Sequence, residues 1–285
     1  MGFWANLFGS GSSSSSVSSD GAFLWLCASG SAEAVKNAIA SGKNANEKDK
    51  DGKTALMYAA ETNRDEEVLR VLINAGANVS ARNNKGTTAL HFAAVNKSCN
   101  PKIIDVLTEA GIDVNVRHNA MGQKGMQENI TPLMDAAGVT FDNSRNIKAL
   151  VNAGADVNAI CVERINHGRD ISTYRNTVLI IAIRSNNAEN VRAVIEAGAD
   201  VNEKISLEAE ISGRFVTGYS FPLIAATHIA ATTRRTEILK LLLDAGADVL
   251  AEDSNDYIAL DYAEGFVEGI LGNAEAAKIL TDAMS

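Results

Sequence analysis

One phrase is written five times along this chain. It reads Ala75-Gly76-Ala77-Asn78-Val79, Ala110-Gly111-Ile112-Asp113-Val114-Asn115, Ala153-Gly154-Ala155-Asp156-Val157-Asn158, Ala197-Gly198-Ala199-Asp200-Val201-Asn202 and Ala245-Gly246-Ala247-Asp248-Val249. A worn copy, Ser41-Gly42-Lys43-Asn44-Ala45-Asn46, precedes them. Self-similarity at this spacing points to a stacked repeat architecture, in which each unit buries its apolar face only against its neighbours. Such an array works by presenting a long surface and needs no enclosed catalytic pocket.

A second phrase runs in step with the first. Its copies are Thr54-Ala55-Leu56-Met57-Tyr58-Ala59, Thr88-Ala89-Leu90-His91-Phe92-Ala93, Thr131-Pro132-Leu133-Met134-Asp135-Ala136, Thr177-Val178-Leu179-Ile180-Ile181-Ala182, Phe221-Pro222-Leu223-Ile224-Ala225-Ala226 and Ile258-Ala259-Leu260-Asp261-Tyr262-Ala263. These match the T-P-L-H-x-A signature of the ankyrin repeat. The chain resembles the ankyrin-repeat family over residues 20–285. The resemblance implies an all-α solenoid of stacked helix-turn-helix units, about seven with the end caps, following a flexible Ser-rich tail at 1–19. The residues agree. A small-residue helix opens each unit, and a second helix carries an apolar stripe such as Val68, Val71 and Leu72, or Ile103, Ile104 and Leu107. The glycine after it suits a left-handed C-terminal cap. Asp/Asn-rich turns such as 46–52 lead into the next unit.

Where the repeats are irregular they are informative. From the cap glycine to the second position of the next Thr-x-Leu phrase the spacing is 13 residues at Gly42 and Gly76, 21 at Gly111, 24 at Gly154 and Gly198, and 13 again at Gly246. Three consecutive turns are therefore lengthened. Ile205, Leu207, Ala209 and Ile211 alternate with Ser206, Glu208 and Glu210, the period of a strand, and Phe215–Tyr219 returns after Ser212-Gly213-Arg214. Ile160–Ile165 and Ile171–Tyr174 flank Asn166-His167-Gly168-Arg169 in a second hairpin signal. The first insertion, Asn119–Asn129, is richer in Gly, Gln and Asn and less clearly stranded. The expectation is long β-hairpin fingers in three central repeats, with roughly 16 Å of extra reach at about 3.3 Å per residue.

Composition narrows the function classes. A formal net charge of −9 argues against a general nucleic-acid binder. From Asp248 to Ser285 nine acidic residues face Lys278 alone, which reads as a solvated end cap or, alternatively, an acidic binding patch. Cys27, Cys99 and Cys161 have no paired spacing, so neither a secreted disulfide framework nor a metal site is expected. No phosphate loop, HExxH, nucleophile elbow or dinucleotide glycine pattern occurs, and no cofactor or catalytic residue is expected. An enzyme of unknown type is the least favoured alternative.

The resemblance implies recognition of another protein on the surface made by turn tips and first helices. The variable position after the signature His slot holds Tyr58, Phe92, Asp135 and Ile181, with Ala225 and Tyr262 further on. Tyr58 and Phe92 are the candidate aromatic anchors. Arg117, His118, Arg164, His167, Arg169, Arg214 and Tyr219 on the fingers complete the candidate surface, whose basic rim would suit an acidic patch on the partner. His118 and His167 are expected to be exposed, and His91 to be structural. Phe3, Trp4, Leu7 and Phe8 would share one face of a short helix, giving a second hypothesis of a membrane-peripheral adaptor. A disordered start is the favoured reading of that segment. The expectation is a cytoplasmic, monomeric protein-binding module.

Overall fold

Each Thr-x-Leu phrase starts a helix because its threonine caps it. Thr54, Thr131 and Thr177 sit in extended backbone, and each hydroxyl accepts the backbone N–H three residues on at 3.3 Å. That satisfies one of the orphan donors of a helix start. The computed structural model describes residues 21–285 apart from 99, 122–124, 168–169, 212–213, 234 and 268–271. At 167, 209–211 and 214–216 it describes the backbone alone.

Among the described residues the helices fall into seven pairs. They are α1 (Ala22–Ser29) with α2 (Ala32–Ala40), α3 (Ala55–Thr62) with α4 (Glu66–Asn74), and α5 (Ala89–Ala94) with α6 (Lys102–Glu109). Then come α7 (Pro132–Ala137) with α8 (Ser144–Asn152), and α9 (Val178–Ser185) with α10 (Ala188–Glu196). The last are α11 (Pro222–Thr233) with α12 (Glu237–Asp244), and α13 (Ala259–Glu264) with α14 (Ala274–Met284). First helices pack on first helices and second on second, in sequence order along the stack. The second-helix stripe is the stack's glue. In α4 it is Val68, Leu69 and Leu72 that are fully buried, with Val71 only half-buried. Each such side chain contributes about 1.5–3 kcal/mol by leaving water.

The repeated phrase can now be read letter by letter. Its glycine takes positive φ in every copy, from +85° at Gly76 to +98° at Gly42. Its Asp or Asn closes a turn on the residue two ahead, as Asp156 Oδ1 does on Asn158 N at 3.0 Å. Its final Asn reaches the next repeat. Asn115 donates to Gly154 O at 3.2 Å and accepts from Asp156 N at 2.8 Å, and Asn46 and Asn202 make the same two bonds to the following copies. The first full copy is followed by Ser80 in place of that Asn, and there Arg82 reaches Arg117 O instead, at 2.8 Å.

Gly154 has φ +95°, and a Cβ built there would meet nothing within 4 Å. Any penalty at this site is therefore backbone strain alone. Gly154→Val should cost about 1–2 kcal/mol, the usual cost of a left-handed residue with a side chain. Chemical denaturation measures it, and an unchanged midpoint would mean that the chain relaxes to negative φ at no cost.

The three lengthened turns do not stand apart. They form one six-stranded antiparallel sheet in the order β1-β2-β3-β4-β5-β6. The strands are β1 (His118–Met121), β2 (Gly125–Ile130), β3 (Ile160–His167), β4 (Asp170–Thr177), β5 (Ile205–Ile211) and β6 (Arg214–Ser220). The Gly-rich first insertion is stranded after all. Its β2 gains a partner from the next repeat, pairing Gly125↔Ile165 through Glu128↔Val162. The second junction runs Ile171↔Glu210 through Tyr174↔Leu207. Fingers in consecutive repeats lie close enough for hydrogen bonds to join them edge to edge.

Candidate binding surface

The register sorts the sheet's side chains between two faces, because directly paired residues point the same way. One face is turned to the helices. On it Glu163 is buried and accepts from Gln127 Nε2 (3.2 Å), Asn176 Nδ2 (3.2 Å) and Arg184 Nη1 of α9 (2.8 Å). Ala120 and Cys161 are buried on the same side. The opposite face carries the row Met121–Met126–Arg164–Thr173–Glu208–Thr217. Among the described side chains, Met121 (76% exposed), Met126 (37%), Ile160 (39%), Ile171 (42%) and Tyr219 (38%) are the large apolar ones of the sheet that stand open, and all five lie on this outer face. The charges beside them are matched. Arg164 pairs with Glu128, and Arg175 lies 3.8 Å from Glu208.

The residues expected to contact a partner divide accordingly. Arg117, Arg164 and Tyr219 are exposed. Tyr58 is half-buried, its hydroxyl donates to Asp49 Oδ2 at 2.9 Å, and Lys53 Nζ sits 4.4 Å from its ring centre. Four expectations fail. Phe92 is buried with Lys53 over its ring at 4.5 Å, so it is no open anchor. Ile181 and Asp135 are also buried. His118 is buried rather than exposed, because the pleat of β1 turns it inward onto Asp135. The basic rim is likewise offset by Glu128 and Glu208. Arg169, the side chains of His167 and Arg214, and Phe3, Trp4, Leu7 and Phe8 lie outside the described residues. No described helix is long and apolar enough to cross a membrane. Burial pushes the thiols of Cys27 and Cys161 up to about 12, so both are inert as nucleophiles.

Beneath the first finger the structure gathers three residues that the sequence spacing left apart. His118 Nε2 lies 3.2 Å from Asp135 Oδ2, and the His91 and His118 rings meet edge to face at 4.4 Å. His91 Nδ1 faces Thr88, 3.2 Å from its N and 2.9 Å from its Oγ1, while His118 Nδ1 lies 3.5 Å from Thr87 Oγ1. Burial holds the His91 imidazole well below its usual range, with the neighbouring His118 adding to the effect. Burial raises the Asp135 carboxyl, against the opposing pull of His118. A Cys/His spacing search misses this group, since its three members belong to two repeats.

The family comparison follows the same register. A model described as "Ankyrin repeats (3 copies)" matches residues 23–118, and one described as "Ankyrin repeat" matches 128–161, 174–205 and 225–254. The chain belongs to the ankyrin-repeat family. No curated protein matches the sequence. Among solved structures, the crystal structure of the human ASB11 ankyrin repeat domain aligns with a TM-score of 0.61 at 19% identity, covering 91% of this chain and 97% of that one. At that identity the likeness is one of fold.

Aligning the ankyrin repeats of this chain on one another explains the buried group. The turn position that holds His118 holds Asp49 and Asp253 in other repeats, and the helix position of Asp135 holds Tyr58 and Tyr262. There the pair is tyrosine hydroxyl to carboxylate, Tyr58 to Asp49 and Tyr262 to Asp253. At the first finger the acid has moved to the helix, and an imidazole takes its place in the turn. His91 fills the family's signature His slot and bonds within its own turn, as expected. In the other repeats Met57, Met134, Ile180, Ile224 and Asp261 occupy that slot.

Proposed function

We propose that this chain is a non-catalytic module that binds a partner protein on the outer face of the finger sheet. Ankyrin repeats are in general protein-protein interaction modules, and the proposal concerns where this one binds. The observation that carries it is the segregation of Met121, Met126, Ile160, Ile171 and Tyr219 onto one face, while the other face turns a buried polar network to the helices. Methionines supply adaptable apolar contact, and a half-covered tyrosine supplies a rigid one. With Arg164 and Arg175 already paired to glutamates, apolar burial dominates affinity and salt has a weak effect on association.

A photo-crosslinking residue at position 173, in the middle of the outer row, identifies the partner by mass spectrometry. The partner's affinity is then compared between the natural chain and Met126→Asp/Ile171→Asp. Both side chains are exposed, so the fold should survive, and circular dichroism checks it. Losing two apolar contacts worth about 1–2 kcal/mol each should weaken binding about 30-fold or more. Undiminished affinity in the double variant would place the interface elsewhere, first at the reachable first-helix positions around Tyr58.

A further inference from the structure

We propose that His91, His118 and Asp135 form a binding site for one divalent transition-metal ion of the zinc type, buried where the repeat of α5 meets the repeat of α7. One nitrogen of each imidazole and one carboxylate oxygen lie within 4.8 Å of one another. Two atoms of the group, His91 Nε2 and Asp135 Oδ1, are buried without a hydrogen bond. Buried polar atoms are rarely left so, because each costs about as much as a lost hydrogen bond. Their coincidence in one cluster is what an ion would resolve.

Acceptors for a second layer stand nearby. Consecutive residues Thr87 and Thr88 put one hydroxyl beside each Nδ1, at 3.5 and 2.9 Å, which leaves the Nε2 edges for the ion. Metal-bound imidazoles characteristically donate the other ring N–H in this way. Binding an ion through Nε2 requires each imidazole to carry its one remaining proton on Nδ1. In the metal-free chain His91 Nδ1 accepts from Thr88 N, so its proton sits on Nε2. On binding, that proton moves to Nδ1 and is donated to Thr88 Oγ1, and the bond from Thr88 N is given up. With the ion on its Nε2, His118 likewise donates from Nδ1 to Thr87 Oγ1.

Two nitrogens and a carboxylate suit zinc better than calcium or magnesium, which prefer all-oxygen shells. Tetrahedral zinc with bonds of about 2.0–2.1 Å sets its ligands about 3.3 Å apart. The donors must therefore close by no more than about 1.5 Å. The Asp135 carboxylate offsets part of the ion's charge, and the exposed Arg82 guanidinium nearby is tied to the Gly86 and Arg117 carbonyls. The other repeats carry Met, Ile or Asp in the His91 slot, so the expected stoichiometry is one ion per chain.

The test uses the full chain without a histidine tag, stripped with chelator and titrated with zinc chloride and, separately, cobalt chloride. The chain should retain one equivalent of zinc through gel filtration. Its Tm should rise by about 5 °C or more at zinc a hundredfold above Kd. Cobalt should give the visible absorption of a site with two imidazoles, one carboxylate and a water as fourth ligand. His91→Met installs the residue of the Met57 and Met134 slots, and His118→Asp/Asp135→Tyr installs the Asp49–Tyr58 pair, so each variant uses a solution the fold already employs. Each should lose at least tenfold in zinc affinity, and if one fails to fold the other decides. Absence of retained zinc and of a thermal shift in the natural chain overturns the proposal. Equal zinc binding by a folded variant overturns it too, since the ion would then sit elsewhere.

Discussion

Replacing Asn190 with alanine is expected to destabilise the chain by about 3–5 kcal/mol, as much as truncating a fully buried leucine of its second helices. Asn190 is fully buried at the start of α10, and its amide makes three bonds to the preceding repeat. Nδ2 donates to Val139 O (3.0 Å) and Phe141 O (3.1 Å), and Oδ1 accepts from Asn143 N at 2.8 Å. Alanine leaves three backbone groups unpaired, at about 1–3 kcal/mol each, and water entering the gap recovers part of the loss. The same device recurs along the stack. Asn63 donates to Cys27 O, Asn96 to Ala60 O, Asn143 to Ala94 O and Asn273 to Ala230 O, each at 2.8–2.9 Å. Asn187→Ala is the control. It removes a helix cap and a 3.3 Å bond to Thr140 O, and should cost about 1 kcal/mol. Denaturant titration measures both. A loss for Asn190→Ala no larger than the control's would mean that solvent reaches the loop and replaces the amide.

These ladders show where reading the chain stops. The repeat phrases disclose the helix pairs, the glycine caps and the turns, because each depends on residues a few places apart. The hairpins at 160–177 and 205–220 are legible for the same reason, as alternation and turn residues lie within one segment. What depends on neighbouring repeats is not legible. Asn190 reads as an ordinary polar residue in α10 until the loop of the previous repeat is set against it. The Gly-, Gln- and Asn-rich β2 has little strand character of its own and is made a strand by pairing with β3. His118 looks like a fingertip residue, since the lengthened turn begins there. Its inward direction is set by the pleat of β1 and by Asp135, 17 positions on. A signal was available. Laying the repeats over one another puts His118 in the slot of Asp49 and Asp135 in the slot of Tyr58, which marks the pair as partners.

Shortening the middle finger, residues 160–175, to the 13-residue turn of the neighbouring repeats is expected to loosen both other fingers while the helix stack stays folded. Of the three fingers this one alone pairs with the strands of another finger on each side, through β2–β3 and β4–β5. Without it β1–β2 and β5–β6 become separate two-stranded hairpins, which are marginal in water. Glu163 goes as well, leaving Gln127 and the Arg184 guanidinium without their shared acceptor. Hydrogen exchange followed by mass spectrometry should therefore show the amides of 125–130 and 205–211 exchanging about 10- to 100-fold faster, with α4, α6 and α12 unchanged. Removing the third finger, 205–220, should do less, because β1 to β4 remain a sheet and Glu163 keeps its partners. The contrast between the two deletions is what matters: independent fingers would respond only to their own loss. Unchanged exchange at 125–130 after the middle deletion would mean that each finger is held by its own repeat. If the fingers are coupled, Met126 and Tyr219 share a plane only while the middle strands join them, and a partner that needs both loses its surface without losing a contact residue.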